Sequence, residues 1–498
     1  MTVSNAISRR ELWGAAVIGL TIGVVATTES LITQRFGPIP QLRQMPGLLP
    51  LALLLGLGLT WLVVAGRGRL FSQRFSIAIA LLLVAGATSS LNLGRLDPTD
   101  LTIAAVFLFW LFAYAVEQQP VQMPTPALVF ILLLLACSIL SVVNGGFGSL
   151  LGQRTIINKC LLLVMMATMT ATAGRYKLAT KVLFVIGGIS ALIALGSGLA
   201  HLLFGVTLTG EELAHFRFKS TPFGRLLRVT GLMTTTQTLA HLLVMSLSAA
   251  LLIPMSRLLR IVSVLVMVAA LGWTFSVGGY VVVCVLFVLA LLMRYPHRAL
   301  HYVAFFGVAA LLVYFLGFAQ SVYENVFLPL GEKGIQDRID YLQTGFVAIE
   351  RHPLLGIGLR NIGRLQGTPI HNAYVQFAAE IGLLGGALFA ALVGYLILGI
   401  AVVTKRLPRG PERSWMNALL LGSIGVGLHL AFEPFFDNYM TWAYLGILAG
   451  AIAHHDPLRR HPSAKQLSAS DTRRRLGPER FPQIRLPGMG QGEADPGA

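Results

Sequence analysis

The sequence predicts an all-α, polytopic integral membrane protein with about 14 transmembrane helices, within a range of 12–14. Its 498 residues are 55% hydrophobic and only 12% charged, with a mean hydropathy of +0.73. A soluble globular chain carries about a quarter charged residues. Apolar runs of about 17 residues or more, long enough to cross a hydrocarbon core as helices, recur from residue 12 to residue 454. The formal net charge of +17, mostly arginine, concentrates in the connections between those runs, where the positive-inside bias places it.

In chain order the expected spans are 12–30, 47–65, 75–93, 99–116, 127–143, 156–173, 179–204, 231–253, 258–276, 277–293, 299–319, 374–403, 414–432 and 438–454. Only SVGG at 276–279 signals a turn inside the run from 258 to 293, so the count changes by one if that turn fails to break it. Arg9 and Arg10 precede the first apolar run. Because many spans follow, they read as positive-inside residues, not as a signal sequence. With the N-terminus cytoplasmic, the inner connections hold Arg67, Arg69 and Arg74, then Arg175, Lys177 and Lys181, then Arg257, Arg260, Arg294 and Arg298, and last Lys405, Arg406, Arg409 and Arg413. The C-terminus is then cytoplasmic too. Residues 1–455 read as the membrane domain and 456–498, rich in Arg, Pro, Gly and Ser, as a disordered basic tail with no periodic apolar face to bury. Cys137, Cys160 and Cys284 lie in apolar runs, which argues for core thiols and against a disulfide or metal site.

Two connections break this pattern. The loops 205–230 and 320–373 both face outward in this topology, yet they carry Arg217, Lys219, Arg225 and Arg228 in the first and Arg338, Arg351, Arg360 and Arg364 in the second. In the second, Ile339, Leu342, Phe346 and Ile349 recur at the spacing of an amphipathic helix, which Pro353 ends. Gly356 and Gly358 then allow close backbone approach. His371 and Asn372 stand immediately before a long apolar run. Asn372 is a natural N-cap, and Asn372, Gln376 and Glu380, each four residues apart, place a polar stripe on one helix face. Intramembrane ionisable residues point to function, although Glu380 also fits a structural hydrogen bond and His371 a capping role.

Arg338-Ile-Asp-Tyr341, HPLLGIG at 352–358 and HNAYVQFAAEIGLLG at 371–385, in this order, resemble the signature of the O-antigen ligase and Wzy-type polymerase superfamily of bacterial membrane glycosyltransferases. The resemblance covers about 336–392. Upstream, RVTGLMTTTQTLAHLL at 228–243 resembles a second family segment and aligns Arg228 with a second family arginine, with TTTQT replacing the usual Asn-rich centre. TFSVGGY at 274–280 carries no arginine where relatives often have one.

The resemblance implies an enzyme of the bacterial inner membrane that moves a glycan from a polyprenyl-pyrophosphate donor to an acceptor hydroxyl, on a glycan or a lipid A–core, at the periplasmic face. Other polysaccharide-assembly proteins are possible partners, and nucleic acid is not expected. It assigns His371, Arg338 and Arg228 to catalysis, and beside it the loop arginines Arg217, Arg225, Arg351, Arg360 and Arg364, with Asn372, Tyr374 and Glu380 of the helix start, are read as substrate-binding. Arginine forks suit phosphate oxygens. His371 would act as base for the acceptor hydroxyl or orient it, with Glu380 tuning the imidazole. The chain has no D-x-D motif, so arginines would supply the counter-charge with neither metal nor cofactor. Two alternatives remain: a transporter or flippase of a lipid-linked or anionic substrate, for which no internal repeat is visible, and a non-catalytic polysaccharide-assembly scaffold.

Overall fold

In a computed structural model, the residues described are 70–87, 98–117, 121–204, 218–221, 224–233, 235–298, 328–367 and 369–456, with isolated positions between 301 and 308. The expected spans 12–30 and 47–65, most of 299–319, Arg217 and nearly all of the C-terminal tail lie outside the described residues. The chain divides into two units, Met1–His455 and Asp456–Ala498, and the first holds the helices. Its helices are α1 Leu70–Ala87, α2 Pro98–Glu117, α3 Thr125–Gly145, α4 Gly152–Ala171, α5 Tyr176–Phe204, α6 Thr236–Leu252, α7 Arg257–Thr274, α8 Val277–Arg294, α9 Leu328–Arg351, α10 Asn361–Gln366, α11 Ala373–Arg406, α12 Pro411–Leu430 and α13 Tyr439–His454. Among the described residues, α3, α4, α5, α7, α8 and α11 are long and apolar enough to cross a membrane.

The expectation of an all-helical chain needs one amendment. Residues 218–227, expected to be plain loop, form a two-stranded antiparallel hairpin, β1 Phe218–Thr221 with β2 Gly224–Leu227, in which Ser220 pairs with Arg225.

Helical residues run without a break from Thr125 to Ala171, which as a straight rod would measure about 70 Å. Ser138 Oγ nevertheless donates to Gln153 Oε1 at 3.0 Å, so the run folds back on itself and α3 and α4 are separate spans. The boundary at SVGG is also real. Phe275 adopts a left-handed conformation with φ 52°, and the Ser276 hydroxyl accepts from Gly279 N at 3.3 Å, capping α8. Glycines let α13 pack closely on α4: a Cβ on Gly450 would stand 2.0 Å from Thr170 Oγ1 and one on Gly446 2.6 Å from Met166 Cβ. Small residues four apart are what close helix pairs in a membrane require.

The connections gather at two ends of the bundle. At one end the Tyr176 hydroxyl meets Glu412 and lies 3.2 Å from His455 Nε2, while His454 Nδ1 reaches Ala171 O at 3.0 Å. Lys177 pairs there with Glu412. At the other end Leu359 N donates to Ser149 Oγ at 3.1 Å, and Arg228 Nε donates to Thr274 O at 3.1 Å. The two arginine-bearing segments singled out in the sequence therefore meet at the end opposite the one holding Arg175, Lys177 and Arg413.

Candidate active site

The site is built on a break in α11. Ile381 and Gly382 leave helical geometry, with Gly382 at φ 85°, and the interruption frees backbone carbonyls that a continuous helix would occupy. The HPLLGIG turn takes them up: Ile357 N donates to Ala379 O and Gly358 N to Glu380 O, both at 2.9 Å, and Leu383 N returns to Pro353 O at 2.8 Å. This docking leaves no space for side chains. A Cβ on Gly356 would stand 2.4 Å from the Glu380 carbonyl, and one on Gly358 2.4 Å from the Gly145 Cα. The turn is thus a clamp locking α9 and α10 to the kinked helix.

Immediately upstream, the Asn372 side chain accepts from Val375 N at 3.0 Å and caps α11, which fixes His371 just outside the helix start. α9 lies against this point. Gly345 packs against Ile370, and the Tyr341 ring stacks on His371 with centroids 6.2 Å apart. One turn earlier on α9, Arg338 Nη2 donates to Glu433 Oε1 at 2.7 Å, while His371 Nδ1 lies 2.8 Å from Glu433 Oε2. Glu433, 2% exposed, follows the end of α12 and is thus shared by an arginine and a histidine from separate elements. Burial by itself would raise its pKa. The hydrogen bond from His371 and the Arg338 charge outweigh burial and hold it below the ordinary glutamate value.

A carboxylate only accepts hydrogen bonds, so the proton of neutral His371 sits on Nδ1 and Nε2 is left as a basic lone pair. Arg228 lies in the field of the same carboxylate; burial lowers its pKa and Glu433 opposes that. His371 and Arg338 are therefore brought together on one acid, and Arg228, bonded to Thr274 O, lies within reach of its charge.

A second polar chain supports the turn that carries Glu433. Thr441 Oγ1 donates to Phe435 O at 2.9 Å, so it must accept from His241 Nε2, 3.0 Å away. His241 Nδ1 is then an acceptor and takes its hydrogen bond from His429 Nδ1 at 3.3 Å. The His241 ring also stacks on Phe435 at 4.3 Å. Both histidines are completely buried, and together they fix Phe435 and hence the Glu433–Asp437 turn.

The other sequence-predicted residues are dispersed. The Tyr374 hydroxyl donates to Gly427 O at 2.9 Å, tying α11 to α12. Glu380 is fully buried and accepts from Gln376 Nε2 at 3.0 Å. The polar stripe thus exists, but among the described residues the carboxylate hydrogen-bonded to His371 is Glu433 and not the expected Glu380. Arg351 and Arg364 are exposed at the end of α9 and on α10. Arg360 lies 3.8 Å from Asp437. Arg225 stands in β2. Among the described residues no group of three or more His, Cys, Asp or Glu side chains is placed to hold a metal ion.

Sequence reading missed Glu433, Asp437, Lys159, His241 and His429. The signal was present: Lys159 and His241 interrupt apolar runs, and EPFFD puts two acids into a short connection between apolar runs, both departures that a membrane chain makes at a cost.

The fold and site define a multi-pass membrane protein with a cationic histidine–carboxylate centre at one end of a helical bundle. Residues 262–390 match the family model described as O-Antigen ligase. The match supports the O-antigen ligase/Wzy-type family of bacterial membrane glycosyltransferases, whose donors are lipid-linked glycans and whose acceptors are glycans. It includes Arg338, the clamp, His371 and the kink of α11, and leaves Arg228 and Glu433 outside. A search of curated proteins returned no match.

Proposed function

We propose that the chain transfers a glycan from a polyprenyl-pyrophosphate carrier to an acceptor hydroxyl at the periplasmic face of the bacterial inner membrane. The observation that carries this reading is the Glu433 bracket, in which one buried carboxylate orients His371 as a base and holds Arg338 beside it. His371 Nε2 takes the proton of the acceptor hydroxyl as its oxygen attacks the anomeric carbon. The bond from that carbon to the pyrophosphate oxygen breaks, and the pyrophosphate leaves with the electron pair. The remaining donors of Arg338, and Arg228 beside it, stabilise the developing charge as preorganised cations. Ligase and polymerase share this step and differ in the acceptor.

The outward orientation rests on the basic connections at the opposite end of the bundle. Reporters fused after Gly331 and Pro408 should read periplasmic and cytoplasmic respectively. The chemistry is tested with full-length protein in proteoliposomes given lipid-linked glycan and acceptor in excess chelator. Product glycan and free polyprenyl pyrophosphate are expected. Movement of intact donor across the bilayer without bond cleavage would make the protein a transporter, and turnover restored only by added magnesium or manganese would remove the arginine-only account of the leaving group.

A further inference from the structure

The turn that presents Glu433 to the catalytic centre presents a second acid, Asp437, on its other flank, and that acid also meets two cations. Lys159, on α4, pairs with Asp437 Oδ1, and Arg360 approaches Oδ2 at 3.8 Å. The two flanks differ in access. Glu433 is sealed from solvent, whereas Asp437 is 47% and Arg360 54% exposed, with the Lys159 side chain at 1% forming the floor. A buried ammonium within a membrane span is costly to keep. Beside that carboxylate, the Phe436 and Tyr439 rings face it at 6.0 and 5.6 Å.

Donors exceed acceptors in this cluster. An ammonium and a guanidinium present eight N–H groups between them, and the single carboxylate they share is too far from Arg360 for a hydrogen bond, 3.8 Å being an ion-pair separation only. Glu380 also stands near Arg360 and Asp437, but it is fully buried behind the clamp and engaged with Gln376. Arg360 is moreover held in a left-handed conformation, φ 65°, at the start of α10. Non-glycine residues adopt this backbone only when their surroundings impose it, and they gather at ligand sites. Here the imposing contacts are explicit: Leu359 N on Ser149, and Asn361 Nδ2 on Gly145 O and Ile357 O at 3.1 and 2.7 Å.

We propose that Lys159 and Arg360 form a second, solvent-open anion site beside the catalytic centre, which receives a carboxylate or phosphate carried by a sugar of the acceptor glycan, with Asp437 as the internal anion that this group displaces. That the anion belongs to the acceptor rests on the transferase reading; that the site binds anionic sugars does not. The pairing of Glu433 and Asp437 four residues apart on one rigid turn then sets the acceptor at a fixed offset from His371. The same arrangement would favour acidic acceptors over neutral ones.

The test uses the full chain in lipid nanodiscs and follows phenylglyoxal modification of the Arg360 peptide by mass spectrometry. Glucuronate or glucose 1-phosphate should slow modification of Arg360 several-fold, and neutral glucose should leave it unchanged. Lys159→Met should abolish that protection, while Asp437→Asn, which removes the competing anion, should strengthen it. If Lys159→Met does not fold, the Asn variant decides by itself. Equal modification with and without the anionic sugars, or weaker protection in Asp437→Asn, overturns the site. Protection by inorganic pyrophosphate alone overturns the assignment to the acceptor. Because the readout needs no turnover, an inactive His371→Ala protein that still shows Arg360 protection would separate failure of the transferase reading from failure of this one.

Discussion

Replacing Glu433 by glutamine changes one atom and should nearly abolish glycosyl transfer. Arg338 has only N–H groups to offer, so the amide oxygen of the variant must take the place of Oε1, 2.7 Å from Nη2. The amide nitrogen then occupies the position of Oε2, 2.8 Å from His371 Nδ1. A nitrogen carrying two hydrogens donates there, which forces Nδ1 to accept and moves the imidazole proton to Nε2. The atom that should collect the acceptor proton is then already protonated. An amide that imposes the wrong histidine tautomer in a serine-protease triad costs roughly 10⁴ in kcat, and roughly 10²–10⁴ is expected here. Folding should suffer less, because one hydrogen bond to Arg338 survives and that side chain is 31% exposed; a charge-assisted hydrogen bond contributes roughly 1.5–3 kcal/mol.

The assay is kcat and KM for lipid-linked donor in proteoliposomes, with thermal unfolding in detergent as the control. pH supplies a second readout. Since the folded pKa of Glu433 is depressed, its contribution to stability is fully present above the ordinary glutamate value, about 4.3, and is lost only as pH falls through the lower folded value. Wild type should therefore keep this contact down to about pH 4, and Glu433→Gln should lack the stability loss below that. Near-normal kcat in a well-folded Glu433→Gln protein would refute the tautomer argument.

Further outcomes follow from the same geometry. His371→Ala should lower transfer by roughly 10²–10⁴ with donor binding retained, and His371→Gln should be nearly as poor; normal turnover in the Gln variant would reduce His371 to an orienting hydrogen-bonder. Arg338→Lys and Arg228→Lys keep their charge but lose the planar fork, and each should lose most activity, up to about 3 kcal/mol of transition-state stabilisation; full activity at normal protein levels would remove pyrophosphate from their roles. Gly382→Ala should destabilise the fold by at least about 2 kcal/mol, because its φ is 85° and a Cβ would stand 2.0 Å from Leu354 O. Gly394→Ala on the same helix, where a Cβ meets nothing within 4 Å, should leave the unfolding midpoint unchanged or raise it, and a similar loss in both would mean that the kink is not the cause.

Hydrophobic periodicity is a local property, and the sequence by itself determined what is local. The helical membrane class, the break at SVGG, the end of α9 before Pro353 and the Asn372 cap were all legible, because each depends on residues within one or two turns. The order and spacing of their motifs also singled out His371 and Arg338, which the structure brings onto one carboxylate. Which acid serves His371 was not legible. Glu380 lies nine residues further on, in the helix that His371 precedes, yet it is sealed under the HPLLGIG clamp, while Glu433, 62 residues distant, reaches Nδ1. The same holds for Lys159 and Asp437, separated by 278 residues, and for His241 and His429, separated by 188. These partnerships depend on which helix faces pack together, and in a chain where nearly every helix is apolar around much of its circumference, no one-dimensional pattern marks the facing side. The kink at Gly382 shows the same division: the sequence supplied a glycine, and only docking of the clamp against the opened helix required that glycine to turn left-handed.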